Sequence, residues 1–190
     1  VSKRKIYPDE VRYAKIAIPG VQTTANLLFS LAYPDANDKK VYLFSDIEDV
    51  VLSNEVDVGV VIHETRFTYQ KRGLIKLNDL GDFWETETGL PIPLGGIAIR
   101  RDLSQNVKVL VQQLIAQSVN FAFANPDLST NYVRTYAQEM DVEIMRKHIQ
   151  LYVNSYSADL GDSGRSAINF LLEKGRSLKF FDQLVTPIFV

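Results

Sequence analysis

A histidine, an acidic residue and an arginine lie close together at the end of the most strand-like apolar run of the chain. Residues 58–62 (VGVVI) are followed directly by His63 and Glu64, and Arg66 comes shortly after them. A neutral imidazole can take up a proton at physiological pH, and α/β sheets place reactive groups at the carboxyl ends of parallel strands. His63 is therefore a candidate general base. The alternative is a structural histidine that is hydrogen-bonded to Glu64 or to the backbone.

The guanidinium group of Arg66 could hold a substrate carboxylate through two parallel hydrogen bonds. The competing interpretation is an internal salt bridge, for which Glu64 and Asp79 are the acidic partners that the sequence offers. Of the two interpretations, we expect the salt bridge.

A second candidate site is the loop at residues 19–24 (PGVQTT), which joins a predicted strand to a predicted helix. The free backbone N–H groups and the positive dipole end of a helix N-terminus favour a carboxylate or phosphate. The hydroxyl groups of Thr23 and Thr24 would add two donors. The alternative is a plain helix cap, since threonine is a common N-cap residue, and the loop alone favours this alternative.

The elements that must position these residues alternate between strands and helices in the first half of the chain. Apolar runs, helical periodicity and Pro-Gly or Asp-Asn loops predict a strand at 13–18, a helix at 23–33, a strand at 41–44, a helix at 47–53 and a strand at 56–62. This order predicts a parallel sheet with helices across its faces. Further strands are predicted at 74–80 and at the end of 91–100, with a helix between them at 82–88.

After Asp102 the pattern predicts helices only, at residues 104–124, 126–138, 142–153 and 163–173, followed by an apolar extended tail at 184–190. These helices need an apolar surface to pack on, and no predicted sheet follows them. The sequence also starts at Val1 without a methionine. We therefore interpret the chain as one that lacks an N-terminal segment.

Composition excludes several classes of protein. Of the 190 residues, 46% are hydrophobic and 23% charged, which is ordinary for a globular chain. The net charge of −2 gives no electrostatic reason to expect nucleic acid or an anionic membrane as partner. The chain has no cysteine, so disulfides, thiol nucleophiles and cysteine metal sites are excluded. No residues have the spacing of metal ligands, and no apolar run is long enough to span a membrane.

Several short segments, in order along nearly the whole chain, resemble a known family. They are IPG at 18–20 with TTA at 23–25, IHETRFTY at 62–69, DLG at 79–81 with WE at 84–85, TGLPIPLGG at 88–96, RRDL at 100–103, and YVN at 152–154. The family is 1,4-dihydroxy-6-naphthoate synthase, of the futalosine route to menaquinone.

The resemblance implies an α/β protein of the type II periplasmic-binding-protein-like fold, with two lobes, an active site in the cleft between them, and a cytoplasmic location. Residues 1–12 would be the end of a crossover between lobes, and residues 13–95 the α/β lobe with the catalytic strand. Residues 96–190 would be a return crossover and helices of the other lobe. Members usually carry an N-terminal segment with a Ser-Pro-x-x-Asp-like motif, absent here, so one lobe would be incomplete in this chain.

The resemblance also implies a reaction. Cyclic dehypoxanthine futalosine, a small-molecule carboxylate, would be cleaved to 1,4-dihydroxy-6-naphthoate and a dihydroxyacetone fragment. His63 matches the family's proton acceptor, and Thr23 and Thr24 match its ligand-contacting threonines. A base is needed to start a retro-aldol-like cleavage of a carbon–carbon bond, which aromatisation then drives forward. This chemistry needs no metal or organic cofactor.

Two other functions compete with this interpretation. Chorismate dehydratase of the same pathway shares the fold, but at residues 62–64 it tends towards a Gly-Asp-based motif without the histidine. A solute-binding protein would use the same helix N-terminus for a small carboxylate and perform no chemistry. Substitution of His63 separates these functions, because a receptor has no turnover to lose.

Overall fold

The computed structural model of the chain describes residues 1–62, 65–136 and 142–190. These residues form two compact units, Val1–Ile92 and Pro93–Val190.

The first unit is built on a three-stranded parallel sheet. Its strands are β1 (Ile16–Ile18), β2 (Lys39–Val41) and β3 (Val58–Gly59), in the order β2-β1-β3. The central strand β1 is buried along its whole length, as expected for an apolar strand that has a neighbour on each side and helices on both faces. The predicted α/β class with a parallel sheet is thus confirmed.

Two helices make the connections between these strands. Helix α1 (Thr24–Ala32) joins β1 to β2, and helix α2 (Ile47–Leu52) joins β2 to β3. The two helices cover opposite faces of the sheet, because side chains alternate along a strand. Ile16 of β1 packs in one apolar cluster with Phe29 of α1, whereas Ala17 packs in the other cluster with Ile47 of α2.

Helix α2 lies unusually close to β3 at Gly59. A Cβ atom at this position would be 2.6 Å from Cγ2 of Ile47 and 2.9 Å from Cγ2 of Val51. Real Cβ atoms essentially never come within 3.0 Å of another heavy atom in this way. Glycine is therefore the residue that allows α2 to pack onto the sheet at this distance.

Several predicted strands are wrong in their bounds. The backbone at Val11–Tyr13 and at Phe44–Asp46 forms 3₁₀ turns, which removes the start of the strand predicted at 13–18 and the end of the one predicted at 41–44. The strand predicted at 56–62 is reduced to the two residues of β3. The strand predicted at the end of 91–100 does not form either.

The strand predicted at 74–80 is also wrong, and short helices surround this region. Helix α3 (Thr65–Thr68) continues into a 3₁₀ turn (Tyr69–Arg72), and Gly73 ends the turn with a left-handed φ of 78°. Ile75 then makes only an isolated antiparallel bridge to Ser2. Helix α4 (Leu80–Thr88) begins where the strand was expected to end.

The first residues of the chain lie in the sheet region. The backbone N–H of Gly59 donates to the carbonyl of Val1 at 2.8 Å, and the α-amino group of Val1 donates to the carbonyl of Gly59 at 2.8 Å. Ser2 exchanges two backbone hydrogen bonds with Ile75, at 2.9 and 2.8 Å. Residues 1 and 2 thus link β3 to the segment around Ile75.

The described residues of the second unit form helices and no strand. The helices are α5 (Gln105–Ala124), α6 (Thr130–Tyr136), α7 (Val142–Tyr152), α8 (Ser155–Ala158) and α9 (Gly161–Ser177). The all-helical pattern predicted after Asp102 is confirmed for them. Helix α5 has no buried residue, and Leu110, Leu114 and Phe121 of this helix are more than half exposed, at 54%, 54% and 61%. None of the described helices is long and apolar enough to cross a membrane.

Candidate active site

The carboxyl edge of the sheet brings together two of the segments that the sequence singled out. The chain leaves β1 at Ile18 and enters the Pro19-Gly20 loop, and it leaves β3 at Gly59 and continues to Ile62. The N–H of Val60 still donates to the carbonyl of Ala17 at 2.9 Å, so the segment after β3 starts alongside β1. Because β1 and β3 are parallel neighbours, both segments leave the sheet at the same edge.

Thr23 is the N-cap of α1. Its hydroxyl donates to the carbonyl of Gly20 at 2.8 Å and accepts from the backbone N–H of Asn26 at 3.2 Å. The single hydroxyl proton is therefore used inside the loop. A Cβ atom at Gly20 would come within 2.9 Å of Cγ2 of Thr23, so the loop folds tightly around this side chain. The structure thus supports the helix-cap interpretation for Thr23.

Thr24, unlike Thr23, has a hydroxyl group that is not used within the loop. Its side chain is half-buried, and its hydroxyl makes no hydrogen bond to any residue of the described part of the chain. The backbone N–H groups of Thr24 and Ala25 also have no acceptor among the described residues, as is usual in the first turn of a helix. Three donors that can face an anion therefore lie on two successive residues.

Asn26 is a polar residue of this turn that the sequence reasoning missed. It is buried, and its Nδ2 donates to the carbonyl of Val21 at 2.7 Å. Its Oδ1 has no partner among the described residues. The signal in the sequence was an asparagine in the first turn of an otherwise apolar helix, where only the cap residues were considered. The visible effect of Asn26 is to hold the loop that precedes Thr23.

His63, the candidate base, lies outside the described residues, as does Glu64. The chain on either side of them is described. The hydroxyl of Thr65 donates to the carbonyl of Ile62 at 2.8 Å, so the residues before and after this pair are held to each other.

Arg66 makes the salt bridge that the sequence favoured. Its Nη2 lies 2.9 Å from Oδ2 of Asp79, and both side chains are partly buried. The other oxygen of Asp79 accepts from the backbone N–H of Gly81 at 3.0 Å and caps α4. One carboxylate thus connects α3 to the N-terminus of α4.

Arg72 lies at the end of the segment formed by α3 and the 3₁₀ turn that follows it, and it contacts two acidic residues of α2. Its Nη1 lies 2.9 Å from Oε2 of Glu48, and its Nη2 contacts Oδ1 of Asp49. The hydrogen bond to Asp49, and to a smaller extent the one to Glu48, raises the pKa of Arg72 above its ordinary value. Glu48 is buried, and its Oε1 has no partner among the described residues. Sequence reasoning missed this pair, because the partners are 24 positions apart and lie on elements with no shared pattern.

Tyr152 and Asn154 belong to the second unit, where their visible roles are structural. Oδ1 of Asn154 accepts from the N–H of Tyr156 at 3.0 Å and so caps α8. Ser157 completes the cap, since its hydroxyl accepts from the N–H of Asn154 at 3.1 Å. The carbonyl of Tyr152 accepts from the same hydroxyl at 3.3 Å.

A cavity of about 330 Å³ lies at the opposite edge of the sheet. Its lining includes Lys15, Asp38 and Val56, which come one or two residues before a strand. It is therefore at the amino ends of the strands and away from the candidate residues. Lys40 and Glu55 also line this cavity, and they pair with each other at 2.7 Å with exposed side chains.

Comparison with known proteins finds a matching family for nearly the whole chain. A family described as menaquinone biosynthesis matches residues 1–177. The chain is 37% identical over 176 residues to a 1,4-dihydroxy-6-naphtoate synthase of Thermus thermophilus. It is 43% identical over 170 residues to a protein of the same name from Streptomyces coelicolor. The two matches cover 93% and 87% of this chain but only 64% and 60% of those proteins, so the chain spans less than two-thirds of their length.

A solved structure has the same fold. The crystal structure of a protein from Archaeoglobus fulgidus superimposes with a TM-score of 0.85 at 36% sequence identity. The superposition covers 95% of this chain and 67% of that one.

Proposed function

The chain belongs to the menaquinone-biosynthesis family, and from that premise we propose that the protein acts as a 1,4-dihydroxy-6-naphthoate synthase. The observation that carries this proposal is the identity of 37% and 43% to two proteins of that name, over most of this chain. Such an activity would make the protein a carbon–carbon lyase that acts on a small molecule.

The substrate in this proposal is cyclic dehypoxanthine futalosine, and the products are 1,4-dihydroxy-6-naphthoate and a dihydroxyacetone fragment. The α1 N-terminus would receive the carboxylate. The free N–H groups of Thr24 and Ala25 and the hydroxyl of Thr24 support this role, since they are unpaired among the described residues. Thr23 would act by shaping the loop, because its own proton is donated to Gly20.

His63 is the general base in this proposal. Ile62, the residue before His63 in the sequence, lies on the segment that leaves β3 at the same edge of the sheet as the α1 N-terminus. A base at this place would take a proton from the substrate and start the cleavage. The two-lobed periplasmic-binding-protein-like fold is part of the same proposal. It is supported by the parallel sheet with helices on both faces and by the separate helical unit that follows.

Turnover by the full-length protein tests the proposal. The purified protein is incubated with cyclic dehypoxanthine futalosine, and the naphthoate product is followed by liquid chromatography and mass spectrometry. We expect turnover by the wild type and a loss of about 10²–10⁴-fold in kcat for His63→Asn, which keeps a hydrogen-bonding group but cannot take up a proton. Product binding by the variant should be retained, which separates loss of a base from loss of the site. Wild-type turnover with an equally active His63→Asn variant would disprove the role of His63, and a wild type without turnover would disprove the activity.

A further inference from the structure

The ion pair between Arg66 and Asp79 joins α3 to α4, two elements next to the candidate site. Arg66 lies in α3, which begins two residues after position 63, and Asp79 is the N-cap of α4. Helix α4 in turn contacts α1, the helix whose first N–H groups have no acceptor among the described residues. The pair therefore links the chain after the candidate base to the helix that would hold the substrate carboxylate.

Helix α4, on the Asp79 side of this link, is held in the first unit by buried side chains. Trp84 of α4 is only 1% exposed, and its Nε1 donates to the carbonyl of Pro91 at 3.1 Å. Leu80, the first residue of α4, packs against the apolar cluster that contains Ile18 of β1. A group that binds to the N-cap of α4 is thus bound to a fixed part of the unit.

The two carboxylate oxygens of Asp79 have different partners, one in the ion pair and one in the cap of α4. Oδ2 contacts Arg66 at 2.9 Å, and Oδ1 accepts from the N–H of Gly81 at 3.0 Å. Each oxygen has one partner among the described residues, so the carboxylate cannot rotate without losing a contact. The guanidinium group of Arg66 is accordingly held in one place relative to α4.

From this geometry we infer that Arg66 is a positioning residue: through Asp79 it fixes the segment that follows residue 63 relative to the α1 N-terminus. This inference rests on the proposed function, in which residue 63 is the base and α1 holds the carboxylate. It also replaces the interpretation of Arg66 as the group that binds the substrate. A misplacement of about 1 Å at a catalytic group can cost about 10²-fold in rate, so a tether of this kind is expected to act on kcat.

The test uses Arg66→Gln, Asp79→Asn and the double variant of the full-length protein. Asparagine caps a helix about as well as aspartate, so Asp79→Asn removes the charge pair and keeps the cap of α4. Lys40→Gln is the matched control, because it breaks the exposed pair with Glu55 at the edge strand β2. The values of kcat and KM are measured for each variant, and circular dichroism with thermal melting reports the fold.

We expect each single variant to lower kcat by about 10-fold or more with KM within about threefold of the wild type. The double variant should be no slower than the slower single variant, because both changes remove the same link. Arg66→Lys, which can still make one contact to Asp79, should recover part of kcat. Lys40→Gln should behave like the wild type.

Other outcomes overturn the inference. If Arg66→Gln raises KM with kcat unchanged and its effect adds to that of Asp79→Asn, then Arg66 binds the substrate directly. If a folded Arg66→Gln variant has wild-type kcat and KM, the ion pair has no part in catalysis. If the wild type itself has no turnover, the proposed function fails and the inference fails with it. In the first two outcomes the wild type turns over normally, so only the positioning role is lost.

Discussion

Replacement of Gly59 by alanine tests the close packing of α2 on the sheet, on which the course of the chain after β3 depends. The added methyl group would lie 2.6 Å from Cγ2 of Ile47 and 2.9 Å from Cγ2 of Val51. Both neighbours are fully buried, at 0% and 1% exposure, and cannot swing out into solvent. The helix must therefore move away from β3.

The expected cost is that of overpacking a core, about 1–3 kcal/mol. Part of this cost, between a few tenths of a kcal/mol and about 1 kcal/mol, is offset because alanine restricts the unfolded chain more than glycine does. We therefore expect Gly59→Ala to lower the free energy of unfolding by about 1–2 kcal/mol. Urea titration followed by circular dichroism measures this change, with any transition of the second unit fitted separately.

The chain offers a matched control and a rescue for this experiment. A Cβ atom at Gly95 would meet no heavy atom within 4 Å, so Gly95→Ala should leave stability unchanged or slightly raised. Val51→Ala removes one of the two clashing methyl groups. In the Gly59→Ala background it should therefore cost at least about 0.5 kcal/mol less than in the wild type. A Gly59→Ala protein as stable as the wild type, or strict additivity with Val51→Ala, would show that the packing argument is wrong.

Two further predictions concern the α1 N-terminus and the first residue. Thr23→Val should lower the free energy of unfolding by about 1 kcal/mol through loss of the cap, whereas Thr24→Val should leave stability nearly unchanged and raise KM. Thermal melts and steady-state kinetics on both variants measure this difference, and equal effects of the two would contradict it. In a chain that starts at Val1, burial lowers the pKa of the α-amino group from 8.0 to about 5. The unfolded chain then binds the proton more readily, so the free energy of unfolding should fall by about 2–4 kcal/mol as the pH is lowered from about 8 to about 5. Urea titrations across this range measure how the free energy of unfolding depends on pH. This dependence should vanish when an added residue converts the α-amine of Val1 to an amide. A dependence that persists would belong to other groups.

The order of elements could be predicted from the sequence, because each helix and strand leaves a local pattern. The cap at Thr23 and the helix over residues 23–33 are examples, since a threonine before an apolar periodic run identifies both. The ends of strands could not be predicted as well. Whether residue 75 pairs depends on Ser2, which is distant in the chain, and no local pattern reports that pairing.

Some contacts near the candidate site could likewise be predicted from the sequence, and others could not. The salt bridge of Arg66 to Asp79 could be anticipated, because the two residues are near in sequence and opposite in charge. The contacts of Arg72 with Glu48 and Asp49 could not, since they depend on how α2 is placed on the sheet. That Oδ1 of Asn26 has no partner in the described part of the chain likewise becomes visible only when its neighbours are known.

The shortness of β3 has a physical consequence for the site. The strand ends at Gly59, and over the described residues that follow, up to Ile62, only the N–H of Val60 continues the ladder with β1. Residues 61 and 62 therefore leave the sheet before the candidate base is reached, and sheet hydrogen bonds do not fix the backbone there. Precise placement of a base needs support from other contacts. The two ion pairs at Arg66 and Arg72 lie on the segment that follows, one at each end, and they tie that segment to α4 and α2. In the proposed function these ion pairs supply that support, so breaking the partly buried pair of Arg66 and Asp79 should lower kcat more than stability.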